Sequence, residues 1–250
     1  MADLKKAMVT GASEGMGRVF AQRMAARGYQ VTLVARSEGK LQQLLVELGD
    51  GGHRYMVADL STEAGMGAVA DDIRSSQYEL LINNAGISIS GGFTDLTLEQ
   101  QLAMVRLNCD SLTTLAYAFL QGAKAGDALL NVASIMGFFP YATQTVYGAS
   151  KAYVISLTEG LWYEQKARGV FVMSVCPGPT ATAFFDRAGI DGGPPKGITQ
   201  TPEQVVEVAL KALDKRGAPT HISGWFNKFL ASLPRILTRK AAVQALAPKG

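Results

Sequence analysis

The sequence predicts one α/β domain built on a doubly wound parallel sheet with helices on both faces. Three observations carry that prediction. Short, nearly continuous apolar runs alternate with longer stretches of helical periodicity, the pattern of a parallel sheet buried on both faces. The first apolar run passes through glycines straight into a helical stretch. The length, 250 residues, suits one domain, long enough to bury about 70% of the surface that its unfolded chain exposes.

Taken in order, strands are expected over 7–10, 30–34, 53–57, 80–83, 128–132 and 170–176, with a short last one near 220–223. Helices are expected over 18–27, 38–48, 64–75, 98–122, 147–168 and 202–213. Thr97 with Gln100 forms a capping box, and Thr201 is a cap followed by Pro202 at the first helical position. No repeat, low-complexity segment or linker divides the chain. Residues 1–250 therefore read as a single domain, with a basic amphipathic extension at about 220–250.

In such a sheet, ligands sit outside the carboxyl ends of the strands. The loop after the first strand runs Val9-Thr10-Gly11-Ala12-Ser13-Glu14-Gly15-Met16-Gly17. A strand turning through glycines into a helix makes an anion site, because unpaired N–H groups and the positive end of the helix dipole face the ligand. Further along, Tyr147 and Lys151 lie four residues apart at the start of a helical stretch, with Ser134 thirteen residues upstream. Residues i and i+4 share one helix face. A cation beside a phenol lowers its pKa by ~1–3 units, whereas an ordinary Tyr titrates near ~10.

These elements occur together and in order: Thr-Gly-x-x-x-Gly-x-Gly at 10–17, Asn83-Asn84-Ala85-Gly86, Asn108, Ser134, Tyr147-x-x-x-Lys151 and Pro177-Gly178. Over about residues 5–210 the chain resembles the short-chain dehydrogenase/reductase family, which implies a Rossmann-type fold and an oxidoreductase. The resemblance implies that Tyr147 is the general acid in ketone reduction or the base in alcohol oxidation. It implies that Ser134 bonds the substrate oxygen, and that Lys151 lowers the Tyr147 pKa and holds the nicotinamide ribose. Asn108 would interrupt its helix and hold a water linking Lys151 to solvent. For the cofactor, it implies the loop residues Gly11, Ser13, Gly15, Met16 and Gly17. Asp59 would hold the adenine amino group, with a backbone contact from Leu60. Asn83, Ala85 and Gly86 would belong to the cofactor site, Gly86 letting the chain pass close to the ribose, while Asn83 also braces the sheet. Pro177, Gly178, Thr180 and Thr182 would line the nicotinamide, Thr182 bonding its carboxamide.

The second strand decides between cofactors. A fold selecting NAD presents an acid there for the ribose 2′-OH, but here the strand ends Ala35-Arg36-Ser37. Arg36 can pair bidentately with a 2′-phosphate, with Ser13, Ser37 or Lys40 adding bonds. NADP is therefore expected. Glu14 is a counter-sign, since its carboxylate would repel that phosphate unless turned away.

Substrate identity is less determined. The loop Ile135-Met136-Gly137-Phe138-Phe139-Pro140-Tyr141 and the segment Ala183-Phe184-Phe185 are apolar and aromatic. They suggest a small hydrophobic carbonyl or alcohol substrate, and an acyl chain, as in a 3-oxoacyl reductase, is the alternative. The stretch Gly192-Gly193-Pro194-Pro195 suits a lid. A non-catalytic NADP-binding regulator on the same fold remains a second class, against which the intact Asn-Ser-Tyr-Lys set weighs.

Composition narrows the rest. Cys109 and Cys176 make no disulfide framework, and with only His53 and His221 no metal site is expected. There is no signal peptide and no apolar run of transmembrane length, so a cytoplasmic protein is expected. No aromatic-interleaved basic patch supports nucleic-acid binding. Residues 215–250 hold seven Lys/Arg and no Asp/Glu. This tail reads as a helix pair packed on the body or on another subunit. Peripheral contact with an anionic membrane, contact with an acidic carrier or CoA substrate, or closure of the site are the alternatives. Pro234 is expected to break any long helix there. The family also implies a homo-oligomer, a dimer or tetramer, joined through the helices at 98–122 and 147–168.

Overall fold

The strand order reverses between β1 (Lys6–Thr10) and β4 (Leu80–Asn83), and that reversal opens the crevice in which the site forms. The computed structural model describes residues 4–190 and 197–246, so the expected lid at 192–195 lies outside the described residues. Among the described residues, seven strands form one sheet in the order β3-β2-β1-β4-β5-β6-β7, and every neighbouring pair is parallel. The others are β2 (Gln30–Ala35), β3 (Arg54–Val57), β5 (Ala128–Val132), β6 (Phe171–Cys176) and β7 (Thr220–Ile222).

Side chains alternate along each strand, and both faces are buried, which is why the runs read as continuous hydrophobicity. Ala7 and Val9 of β1, Leu80 and Ile82 of β4, and Leu130 and Val132 of β5 face one core. That core is closed by α1 (Gly15–Ala26), α2 (Glu38–Leu48) and α8 (Pro202–Lys215). Met8, Leu81 and Leu129 point the other way, against α3 (Glu63–Ser76) and α5 (Leu112–Gly122). α6 (Thr145–Gln165) packs on that second face through Val154 and Ile155.

The expected capping boxes both form. Thr97 accepts from the Gln100 N–H at the start of α4 (Leu98–Val105), and Thr201 does the same for Gln204 at α8. One expectation is met and one is corrected. The span 98–122 is interrupted at Asn108, as expected: a π-helical turn, Arg106–Ser111, separates α4 from α5. Pro234 does not break its helix. After the short α7 (Phe184–Arg187), the tail folds as α9 (Trp225–Ile236) and α10 (Arg239–Leu246), and α9 carries Pro234 inside its last turn. A proline there costs one hydrogen bond near an end where carbonyls are already unpaired. The chain turns extended only at Leu237. Among the described residues, no helix is long and apolar enough to cross a membrane.

Candidate active site

The glycine loop is held by hydrogen bonds from β1 to the end of β4. Thr10 Oγ1 accepts the N–H groups of Asn84 and Ala85, each at 3.0 Å, and Asn84 Nδ2 donates to the Thr10 carbonyl at 2.9 Å. Gly11 and Gly15 have φ of +66° and +55°, a region that side chains disfavour. A Cβ on Gly17 would lie 2.1 Å from the Gly11 carbonyl oxygen, so α1 can pack on its own loop only through glycine. Glu14 precedes α1 without a side-chain capping bond, and the first turn of α1 holds no acid. Its leading N–H groups therefore remain available to an anion. A diphosphate fits that cradle.

The loop borders a cavity of about 740 Å³ at the carboxyl ends of the strands. Gly11, Ser13, Gly15 and Met16 line it, as do Arg36, Ser37, Asp59 and Leu60. Ala85 and Gly86 line it between the two halves, and Pro177, Gly178, Thr180 and Thr182 at the far side. Two residues expected to touch cofactor stand behind the wall instead. Gly17 is the packing contact just described. Asn83 is 3% exposed and bonds Asn131 and the Leu112 carbonyl, bracing the sheet.

At the adenosine end, Arg36 is exposed and 3.8 Å from Asp59. Burial alone would raise the Asp59 pKa, but two Ser61 hydrogen bonds and the Arg36 guanidinium hold it below its ordinary value. The cap of α3 is Thr62, so Asp59 does not cap that helix. The Glu14 carboxylate is neutralised: Lys40 lies 2.7 Å from it, and Arg187 of α7 pairs with it from the other side.

At the other end, Tyr147 and Lys151 occupy successive turns of α6, as their spacing predicts. The Ser134 hydroxyl lies near enough to that of Tyr147 to favour its ionised form, while Ser134 Oγ accepts the Met136 N–H at 3.2 Å. Close approach brings them together: a Cβ on Gly137 would meet the Lys151 carbonyl at 2.8 Å, so the turn Ile135–Gly137 lies directly on α6. Lys151 Nζ donates to the Val132 carbonyl at 2.9 Å and sits 5.7 Å from the centre of the Tyr147 ring. The expected electrostatics are corrected here. Burial pushes the Tyr147 hydroxyl up to about 12, and the Ser134 hydroxyl draws it back only in part. Burial likewise lowers Lys151 to about 8. Desolvation is the largest influence on both groups, since each is almost wholly buried. The phenol is therefore protonated at neutral pH, the form that a proton donor needs.

Asn108 does not line the cavity. Its Oδ1 accepts the Ile87 N–H at 3.0 Å, and its Nδ2 donates to the Ile87 carbonyl at 2.9 Å and Ser150 Oγ at 3.0 Å. Ser150 Oγ in turn donates to the Tyr147 carbonyl. The π turn thus aims one amide at both the cavity-lining Ile87 and the helix of Tyr147. Sequence reasoning passed over several contributors. Thr10 and Asn84 clasp the loop and Arg187 answers Glu14, whereas Phe184, named above for the pocket, packs its ring 5.8 Å from Tyr147. A polar pair inside two motifs was the available signal for the first two; the third depends on tertiary contact.

The short chain dehydrogenase family model matches residues 5–191. A short-chain dehydrogenase from Sphingobium yanoikuyae, solved in complex with NADPH, is 36% identical with a TM-score of 0.81, over 88% of this chain and 87% of that one. The bulky-bulky ketone specific alcohol dehydrogenase from Comamonas testosteroni is 29% identical with a TM-score of 0.77, over 88% and 86%. A very-long-chain 3-oxoacyl-CoA reductase from Anas platyrhynchos is 31% identical, over 88% of this chain and 73% of its own length. A likeness that extends along nearly the whole sheet, and includes the residues gathered at its carboxyl edge, places the chain in the short-chain dehydrogenase family.

Proposed function

We propose that the protein is an NADP-dependent oxidoreductase that interconverts a hydrophobic ketone and a secondary alcohol. The observation that carries this reading is the buried Ser134–Tyr147 hydroxyl pair, with Lys151 one turn on, at one end of a cavity whose other end offers Arg36 and the bare N-terminus of α1. When bound, NADPH supplies the hydride. Ser134 donates to the carbonyl oxygen of the substrate and Tyr147 delivers the proton to it. Lys151 sets the field in which the phenol gives up that proton, and Asn108 fixes the π turn against α6. Arg36, with Ser13 and Ser37 beside it, selects the 2′-phosphate, consistent with the NADPH bound by the Sphingobium relative.

The aromatic wall of Phe139, Tyr141, Phe184 and Phe185 suits a bulky apolar ketone. A 3-oxoacyl substrate is the second reading, favoured by the likeness to the Anas enzyme. We also infer a homo-oligomer joined through α4–α5 and α6, whose outward faces leave Leu98, Tyr117 and Tyr163 at least 63% exposed. A panel of bulky ketones and 3-oxoacyl thioesters, each assayed with NADPH and NADH, tests the proposal. Tyr147→Phe should lower kcat by about 10²–10⁴-fold while NADPH still binds. Turnover indifferent to that change would leave only a cofactor-binding regulator.

A further inference from the structure

The turn that follows β6 is held from behind by a residue of the tail. A Cβ on Gly178 would lie 2.3 Å from both Nδ2 and Oδ1 of Asn227, so the amide of Asn227 lies flat against this stretch of backbone. Asn227 sits on α9, beyond the residues that the family model matches, and is 2% exposed. Its Nδ2 donates to the Ser223 carbonyl at 2.6 Å, and the Ser223 N–H donates to the Cys176 carbonyl at 3.2 Å, at the last residue of β6. Gln200 is tied to the same turn: its N–H donates to the Pro179 carbonyl and its carbonyl accepts from Ala181, both at 2.9 Å. A Cβ on Gly224 would be 3.0 Å from Asn227 Nδ2 and 3.2 Å from Gln200 Oε1, so those two side chains converge on one spot. Asn227 Oδ1, Gln200 Oε1 and, on the residue before Gly224, Ser223 Oγ are each buried without a hydrogen-bond partner.

Burying three such atoms is unfavourable, and a purely structural helix contact would be served by an apolar side chain. The front of the same turn lines the cavity through Pro177, Gly178 and Thr180, and α9 also packs on the Ile135–Gly137 turn and sends Leu230 into the cavity wall. We infer that Asn227 is a positioning residue: from α9 it fixes the Pro177–Thr182 turn at the depth where that turn meets the nicotinamide carboxamide. The inference rests on the cofactor placement proposed above. Strain or slack at Asn227 is felt by the nicotinamide half of the cofactor and not by the adenosine half, which is held more than one strand away at the ends of β2 and β3.

Calorimetric titration of NADPH, and separately of 2′,5′-ADP, which lacks the nicotinamide, separates the two halves. In Asn227→Ala the Kd for NADPH should rise about tenfold, the equivalent of about 1.4 kcal/mol, with the Kd for 2′,5′-ADP unchanged. Gly178→Ala, whose methyl displaces the Asn227 amide, should show the same split. The double variant should be no worse than either single one, because the two changes act on one contact. An equal weakening of both ligands in the folded variants would make Asn227 an ordinary packing residue and overturn the inference. Unchanged NADPH binding would overturn it too. If the unaltered protein bound neither ligand, the cofactor placement itself would fall, and this inference with it.

Discussion

At the residue scale, burial sets the proton inventory of the site. Tyr147, pushed up to about 12, keeps its proton across the working range, whereas Lys151, lowered to about 8, loses its charge as pH rises through that value. A reduction that needs a protonated phenol beside a cationic amine should then run at a constant kcat/KM below pH 8 and decline above it. Lys151→Met should be slow and should lack that decline. A profile flat to pH 10 in the unaltered protein would remove the role given to the Lys151 charge. Arg36 makes a separate prediction. Hydrogen bonds to a charged group contribute ~1.5–3 kcal/mol, so Arg36→Leu should raise the KM for NADPH by about 10–100-fold and leave that for NADH nearly unchanged. The ratio of kcat/KM for the two cofactors measures it. Both residues were legible because a one-dimensional spacing, i to i+4 or strand end to loop, fixed their place; the sign of the Tyr147 shift was not, because burial is a property of the surrounding fold.

At the element scale, local rules held where the partners are local. The capping boxes at Thr97 and Thr201 close within four residues, so the sequence specifies them completely. The π turn was foreseen only as an interruption at Asn108, because what holds it is the distant pair Ile87 and Ser150. Asn108→Leu would leave the part-buried Ile87 N–H and carbonyl without their partner. Each such loss costs ~1–3 kcal/mol, so urea unfolding should show a drop of about 2–4 kcal/mol. Stability within 0.5 kcal/mol of the parent, by the same titration, would show that the turn does not depend on this amide. At Gly17 the obstacle is backbone, a Cβ 2.1 Å from the Gly11 oxygen, so Gly17→Ala should abolish binding of NADPH and 2′,5′-ADP alike in equilibrium dialysis.

For the whole molecule, the sheet is the rigid part and the surface helices are the joining part. Leu130 is fully buried between β5 and the helices on its face, and removing a side chain of that kind costs ~2–5 kcal/mol. α5 and α6 instead turn Tyr117 and Tyr163 outward, 63% and 75% exposed. If these faces join subunits, Tyr117→Glu with Tyr163→Glu should reduce the mass seen in light scattering to that of one chain, without altering the urea midpoint of the monomer. An unchanged mass would assign the interface elsewhere.

The order of strands and helices, the glycine loop, the Tyr147–Lys151 register and the basic character at Arg36 were settled by the sequence itself, since each follows from periodicity or from residues a few positions apart. The tertiary structure alone decided which motif residues face the cavity and which, like Asn83 and Gly17, stand behind it. It also decided how Glu14 is neutralised, and that α9 closes against the turn at Gly178. Those outcomes depend on segments far apart in the chain meeting at one edge of the sheet, where desolvation and close contact, rather than pattern, set the chemistry.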